Sequence, residues 1–79
     1  MTPIVEVWLT KKSMTIRCMV INEDESGEYQ PVASVNMRGA QREVTRRFTK
    51  LGYMPVGRWN KEAVVGKDVI ESMRLFRSS

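Results

Sequence analysis

Apolar residues recur at three- and four-residue steps in one stretch of the chain, from Asn36 to Gly52. The residues of this apolar stripe are Met37, Ala40, Val44, Phe48 and Leu51. Such spacing places side chains on one face of an α-helix. Asn36 can accept a backbone N–H bond as the N-cap, and Gly52 stands where a left-handed residue often ends a helix. The pattern therefore predicts an amphipathic helix with both ends marked.

Upstream of this stretch the apolar residues alternate with polar ones, which is typical of strands. Ile4 to Thr10 is rich in β-branched and aromatic residues. Its predicted inner face carries Val5, Val7 and Leu9. Met14 to Ile21 alternates in the same way, and its predicted core positions are Met14, Ile16, Cys18 and Val20. Because only a short turn separates the two segments, we expect a β-hairpin.

Two further segments have strand character that proline or glycine interrupts. Tyr29 to Val35 predicts a third strand, and Pro31 confines it to an edge or an end because proline cannot donate a ladder hydrogen bond. Tyr53 to Trp59 predicts a fourth strand. In that segment Pro55 and Gly57 indicate an edge or a bulge.

Residues 68–77 fit two structures. Asp68 to Glu71 resembles a helical capping box, and Val69, Met73 and Phe76 share a helical face. The same residues also alternate tolerably, and a turn at Gly66-Lys67 would fold them back on the fourth strand as a hairpin. We favour the strand and keep the helix as the alternative.

The order of these elements is β-β-(β)-α-β, followed by a strand or a helix. It predicts an α+β fold in which a small antiparallel sheet of three to five strands packs against one amphipathic helix. The chain has 79 residues, which is enough for one domain over residues 1–79. Because so short a chain has a thin core, a homodimer stays open as a source of stability.

The charge is unevenly distributed along the chain. The net charge is +4, but four of the nine acidic residues lie in one short loop, namely Glu23, Asp24, Glu25 and Glu28. The rest of the chain carries 13 basic and 5 acidic residues (9 − 4), a net charge of +8. Such an excess favours an anionic partner, either a nucleic acid or an acidic protein.

The acidic loop partly resembles a calcium-binding EF-hand loop. Asn22, Asp24, Ser26 and Gly27 match its first, third, fifth and sixth positions. The twelfth position requires a bidentate Glu, but Ala33 stands there. We therefore expect a solvated acidic turn that binds no calcium, and neither a metal nor a cofactor elsewhere.

The composition argues against an enzyme. The chain has no histidine, which removes the commonest general base near neutral pH and the commonest zinc ligand. It also lacks the glycine-rich patterns that bind phosphates in nucleotide-binding enzymes. We expect no catalytic residues.

The sequence predicts a cytoplasmic protein with no membrane partner. Cys18 is the single cysteine, and its place in an apolar run indicates a buried, reduced thiol. No apolar run approaches the roughly 20 residues that span a bilayer. The N-terminus lacks the basic start and long apolar run of a signal peptide.

A second face of the predicted helix is cationic, with four basic residues at strict four-residue steps. Neighbouring like charges destabilise a helix by a few tenths of a kcal/mol per pair, and bound phosphates would offset that cost. Neutral residues beside them could add hydrogen bonds. The candidate nucleic-acid-binding residues are Arg38, Arg42, Arg46, Lys50, Gln41, Thr45 and Thr49.

Three interpretations of this face remain. The simplest is a solvated face that keeps the protein soluble, with Glu43 pairing to Arg46 or Arg47. A nucleic-acid surface comes next and an acidic protein partner third. For Trp8 and Trp59 we favour structural packing over base stacking or an interface.

The leading functional hypothesis is a small, non-catalytic nucleic-acid-binding or regulatory protein. The alternative is a protein–protein interaction module, homodimeric through a sheet edge or an exposed tryptophan, whose basic face is solvated or binds an acidic partner.

Overall fold

The first and last strands of the fold lie side by side at the centre of one antiparallel sheet. The computed structural model describes residues 4–66 and 68–77. In chain order its elements are β1 (Ile4–Lys12), β2 (Thr15–Ile21), β3 (Gly27–Gln30), α1 (Met37–Lys50), β4 (Tyr53–Val65) and β5 (Asp68–Arg77). The strand order in the sheet is β3-β2-β1-β5-β4. The predicted α+β fold, an antiparallel sheet with one helix, is confirmed.

The core lies between α1 and one face of the sheet. Register places Val7 of β1 opposite Val20 of β2 and Met73 of β5, so these side chains share a face. The buried apolar residues are Val5, Val7, Leu9, Cys18, Val20, Ala40, Val44, Phe48, Met73 and Leu75. The alternation predicted for β1 is thus confirmed.

Both helix ends are as predicted. The side chain of Asn36 accepts a hydrogen bond from the Gly39 amide at 2.7 Å. Gly52 follows the last turn with a φ of +93°, a left-handed conformation that costs glycine little. Two predicted core residues lie in solvent instead. Leu51 is 64% exposed because it lies beyond the last full turn, and Met14 is 84% exposed because it lies in the turn before β2.

Several strand boundaries differ from the prediction. The first strand continues past Thr10 to Lys12, and the second begins at Thr15, one residue after Met14. The third strand begins earlier than expected, at Gly27, and ends at Gln30, because the next residue, Pro31, has no N–H to donate to the ladder. The fourth strand continues past Trp59 as far as Val65, and its register shifts at two places accommodate the expected bulge.

Residues 68–77 form a strand, as favoured. Glu71, Met73 and Leu75 lie on the helix side of the sheet, opposite Leu9, Val7 and Val5 of β1 respectively. The structure confirms the fold-back of this strand on β4. In the predicted turn Gly66 has a φ of +62°, and Lys67 lies outside the described residues.

Helix α1 covers one face of the sheet, and the other face is here named the open face. Strand register assigns to its central rows Ile4, Glu6, Trp8, Thr10, Arg17, Met19, Ile21, Gly27, Tyr29, Met54, Val56, Asn60, Ala63, Ile70, Ser72, Arg74 and Phe76. Lys12, Thr15 and Asp68 lie on the same face at its ends. Trp8 is half-buried among these residues, as expected for a packing role. Its Nε1 atom is shielded from solvent and has no hydrogen-bond partner within the described chain.

Candidate nucleic-acid interface

The four cations of α1 lie on its solvent side and are here named the basic row: Arg38, Arg42, Arg46 and Lys50. All four side chains are exposed, whereas Ala40, Val44 and Phe48 of the same helix are buried against the sheet. Among the described residues, no member of the basic row forms a salt bridge. The row therefore presents its charge to solvent without compensation.

Arg42 and Arg46 form a ridge between two shallow surface grooves, because both side chains line each groove. The first groove, of about 680 Å³, is completed by Ser34, Gly39, Glu43, Arg47, Lys50 and Leu51. The second, of about 550 Å³, is completed by Arg38, Gln41, Thr45 and Trp59. Open grooves along a helix suit an extended ligand better than an enclosed small molecule.

The acidic residue of α1, Glu43, is satisfied away from the basic row. Its carboxylate accepts hydrogen bonds from the Ala33 amide at 2.9 and 3.1 Å, and from the Ser34 amide and hydroxyl at 3.0 and 3.1 Å. Arg47 donates to it at 3.1 Å, one of the two pairings that the sequence offered. The bond from the Ala33 amide is the main cause that lowers the pKa of Glu43. The Glu43 carboxylate therefore binds the loop before α1 and Arg47, and within the described part of the chain it does not pair with the basic row.

Arg47 does not add a free charge to this surface. Besides its contact with Glu43, it donates to the Gln30 side chain at 2.9 Å and to the Pro31 carbonyl at 2.8 Å. These bonds tie α1 to the end of β3. Arg47 is therefore a structural residue, although the sequence places it directly beside Arg46.

Two of the three neutral candidates use their donors within the chain. The Gln41 amide nitrogen donates to both carboxylate oxygens of buried Glu71, at 2.7 and 3.1 Å. The Thr49 hydroxyl donates to the Thr45 carbonyl at 2.8 Å. Thr45 itself lines the second groove beside Trp59. The assignment of these residues to nucleic acid stays a prediction.

Trp59 is the one aromatic residue that the structure describes as lining either of these two grooves. Its side chain is half-buried against the core, which agrees with a packing role, and it also borders Arg38, Arg42 and Arg46. Sequence analysis missed this second position because Trp59 lies in the irregular part of β4, where a register shift breaks the alternation that predicts side-chain direction.

The acidic loop is held by hydrogen bonds between its own residues. Asp24 accepts hydrogen bonds from the Ser26 amide at 3.0 Å and from the Ser26 hydroxyl at 2.5 Å. The hydroxyl bond is the main cause that lowers the pKa of Asp24. Within residues 4–66 and 68–77 no group of three or more Cys, Asp or Glu residues is placed to hold a metal ion. The absence of calcium binding stays a prediction for titration to test.

Comparison with known proteins gives no relative. No protein-family model, no curated protein and no solved structure matches the chain. Across the described ranges, the structure has no helix with the length and apolar character needed to cross a bilayer. Function is therefore inferred from the geometry of the basic row and its surroundings.

Proposed function

We propose that this protein is a small, non-catalytic nucleic-acid-binding or regulatory protein, which binds backbone phosphates through the basic row. The observation that carries the proposal is the exposure of four cations, without a salt bridge among the described residues, along one helix. From Arg38 to Lys50 the row extends about 18 Å at 1.5 Å per residue. Arginine is suited to phosphate because its planar guanidinium binds two oxygens at once.

The electrostatics of α1 favour an anion over a neutral partner. Like charges four residues apart repel by a few tenths of a kcal/mol per pair. Arg38 also lies in the first helical turn, which contains no acidic residue to complement the positive end of the helix dipole. A bound phosphate would relieve both effects.

The second groove adds groups that suit a nucleotide. Trp59 borders the arginines there, and aromatic rings stack on bases of any sequence. Thr45 lies in the same groove and carries a hydroxyl that can bond to a phosphate or sugar. Phosphate contacts from the ridge and stacking in the groove would act on the same strand.

A cytoplasmic location belongs to this proposal. Cys18 is buried, and that burial raises the pKa of its thiol, so it stays protonated and unreactive. A buried, reduced thiol agrees with a reducing compartment.

An acidic protein is the competing partner, because its carboxylates would also be drawn to the basic row. The two partners are separated by direct binding measurements with oligonucleotides and with polyglutamate, and the slope of log affinity against log salt then counts the phosphates that are contacted.

The test replaces the centre of the ridge. Arg42→Gln/Arg46→Gln keeps helix propensity and removes two charges. Binding to labelled DNA and RNA oligonucleotides is followed by fluorescence anisotropy across a salt series. For duplex DNA we expect weaker binding and a slope shallower by about 1.8 units for the pair. Stability should be unchanged or slightly higher, because two repulsive neighbours are lost.

A matched control is Arg58→Gln/Lys61→Gln, which removes the same charge from exposed cations that line neither groove. It should keep the wild-type slope. Equal affinity and slope for wild type and the Arg42/Arg46 variant would remove the contact from α1. Failure of wild type to bind any oligonucleotide at low salt, together with binding to polyglutamate, would favour the acidic protein.

A further inference from the structure

The open face carries an apolar patch, although solvated faces of antiparallel sheets are usually polar. Exposed apolar side chains on it include Ile4 at 45%, Tyr29 at 66%, Met54 at 50% and Val56 at 49%. Half-buried neighbours extend the patch, namely Trp8, Met19, Ile21, Ile70 and Phe76. Contiguous apolar surface of this kind marks an interaction site. We propose that a second copy of this chain covers the open face and forms a two-fold homodimer.

Charge favours a second copy. The charged groups of the open face balance in number. Its carboxylates are Asp68, Glu6, which lies 3.6 Å from Arg74, and Glu62, which accepts a bond from Ser72. Its cations are Lys12, Arg17 and Arg74. That is three carboxylates against three cations. The uncompensated cations of α1 point away on the other side. Two molecules can therefore meet through the open face without the repulsion that opposes contact between two basic rows.

The central charges also make the face self-complementary. Glu6 and Arg74 lie opposite each other on the neighbouring central strands β1 and β5. In a two-fold interface the same patch meets itself, so a contact made in one direction is repeated in the other. An axis through this region brings the Glu6 carboxylate of each copy towards the guanidinium of the partner's Arg74.

The edges of the sheet are poorer contacts than its face. Edge β4 contains Pro55 and two register irregularities, which remove or misalign ladder groups. Edge β3 has only four residues, and one of them is Glu28. Short, charged or bulged edges resist strand addition. A second copy is thus expected to stack on the sheet and not to extend it.

The dimensions of the molecule allow an interface of standard size. The molecule measures 39 × 22 × 20 Å, so the rectangle of its two longer sides, about 860 Å² (39 × 22), is an upper limit for one flat face and lies close to the roughly 800 Å² per partner of a standard interface. The proposed dimer does not depend on what the basic row binds, because that row lies on the opposite side of the molecule.

The test uses two charge reversals at the centre of the face. Wild type should sediment at twice the 9.1 kDa of one chain. Glu6→Arg leaves the central pair doubly positive, and Arg74→Glu leaves it doubly negative. Because each reversed face repels its own copy, the dissociation constant of either variant should rise by about tenfold or more. An equimolar mixture should recover the dimer, because opposite faces then meet.

Circular dichroism melts show whether each variant is folded, and both altered positions are at least partly exposed. Leu51→Lys, at an exposed apolar residue on the helix side, is the matched control and should stay dimeric. Monomeric wild type would overturn the proposal and leave the face to another kind of partner. So would a dimer that survives both reversals, a mixture that fails to reassociate, or a dimer that only Leu51→Lys disrupts.

Discussion

At the scale of single residues, Glu43 joins the helix to the chain before it. Four donors converge on its carboxylate, from Ala33, Ser34 (amide and hydroxyl) and Arg47. The bond from Arg47 could be predicted, because residues four apart on a helix are neighbours. The bonds from the loop could not be predicted. Their donors include backbone amides nine and ten residues before Glu43, and the residue types in the sequence do not show which backbone amides a side chain will meet.

Because of Glu43, the free energy of unfolding should depend on pH in the acidic range. Hydrogen bonds, chiefly from Ala33, hold its folded-state pKa below the ordinary value of 4.5. Its contribution is therefore complete above that value and is lost as the pH falls through the folded-state pKa. In urea melts across a pH series, Glu43→Gln should be less stable than wild type at neutral pH, and the gap should narrow below pH 4.5. Asp24 is intact in both proteins, so its titration cancels. A gap that stays constant with pH would contradict this role.

Gly39 has a steric role in the first turn of α1. A Cβ added there would lie 2.9 Å from the Ser34 hydroxyl oxygen and 3.1 Å from the Asn36 side-chain oxygen that caps the helix. Alanine normally stabilises a helix by about 1 kcal/mol relative to glycine. We expect Gly39→Ala to lower the free energy of unfolding by about 1 kcal/mol instead, since overpacking costs roughly 1–3 kcal/mol.

Chemical denaturation measures this change. The control is the same substitution in a Ser34→Ala background, where the closest atom is gone and the cost should shrink. An increase in stability for Gly39→Ala in the wild-type background would contradict this steric role, because it would show that the turn accommodates the added methyl group at little cost.

At the scale of elements, local signals predicted α1 well and the strands less well. The helix has its periodicity and its capping residue Asn36 within one stretch of sequence. Residues 68–77 fitted a strand and a helix almost equally, and pairing with β1 decided between them. The pairing joins residues that are far apart in the sequence, so the local sequence of residues 68–77 does not predict it. The same holds for the candidate site: periodicity placed the basic row in solvent, but the approach of Trp59 and the bond from Gln41 to Glu71 depend on tertiary packing.

Phe48 should be essential to the contact between helix and sheet. It is 4% exposed, and its ring meets that of Tyr53 edge-on with centroids 5.6 Å apart. Phe48→Ala should cost about 3–5 kcal/mol. Because small domains have only about 5 kcal/mol or somewhat more of stability, the variant should be largely unfolded in thermal melts. Leu51→Ala, on the exposed side, should change stability by no more than about 0.5 kcal/mol. A cooperative Phe48→Ala melt just below wild type would contradict the assigned face.

At the scale of the whole molecule, the fold separates two kinds of surface. The helix side carries uncompensated cations, and the open face carries apolar groups with balanced charge. A single helix on a single sheet leaves one face uncovered, because the sheet has two faces and α1 can bury only one of them. The two proposals for this protein therefore concern opposite sides of the molecule and can be tested independently.

The adjacency of β1 and β5 also determines when the protein can fold. Position 4 pairs with position 76, so the central ladder joins segments from opposite ends of the fold. To form such distant pairs the chain must first lose the conformational entropy of closing a long loop, and the stabilising contacts come only afterwards. This order slows folding. During synthesis β1 and β2 can meet early, but Val7 and Leu9 lack their neighbours on β5 until that last strand has been made. The nascent chain therefore carries an unfinished apolar surface until β5 has been made, and aggregation competes with folding during that time.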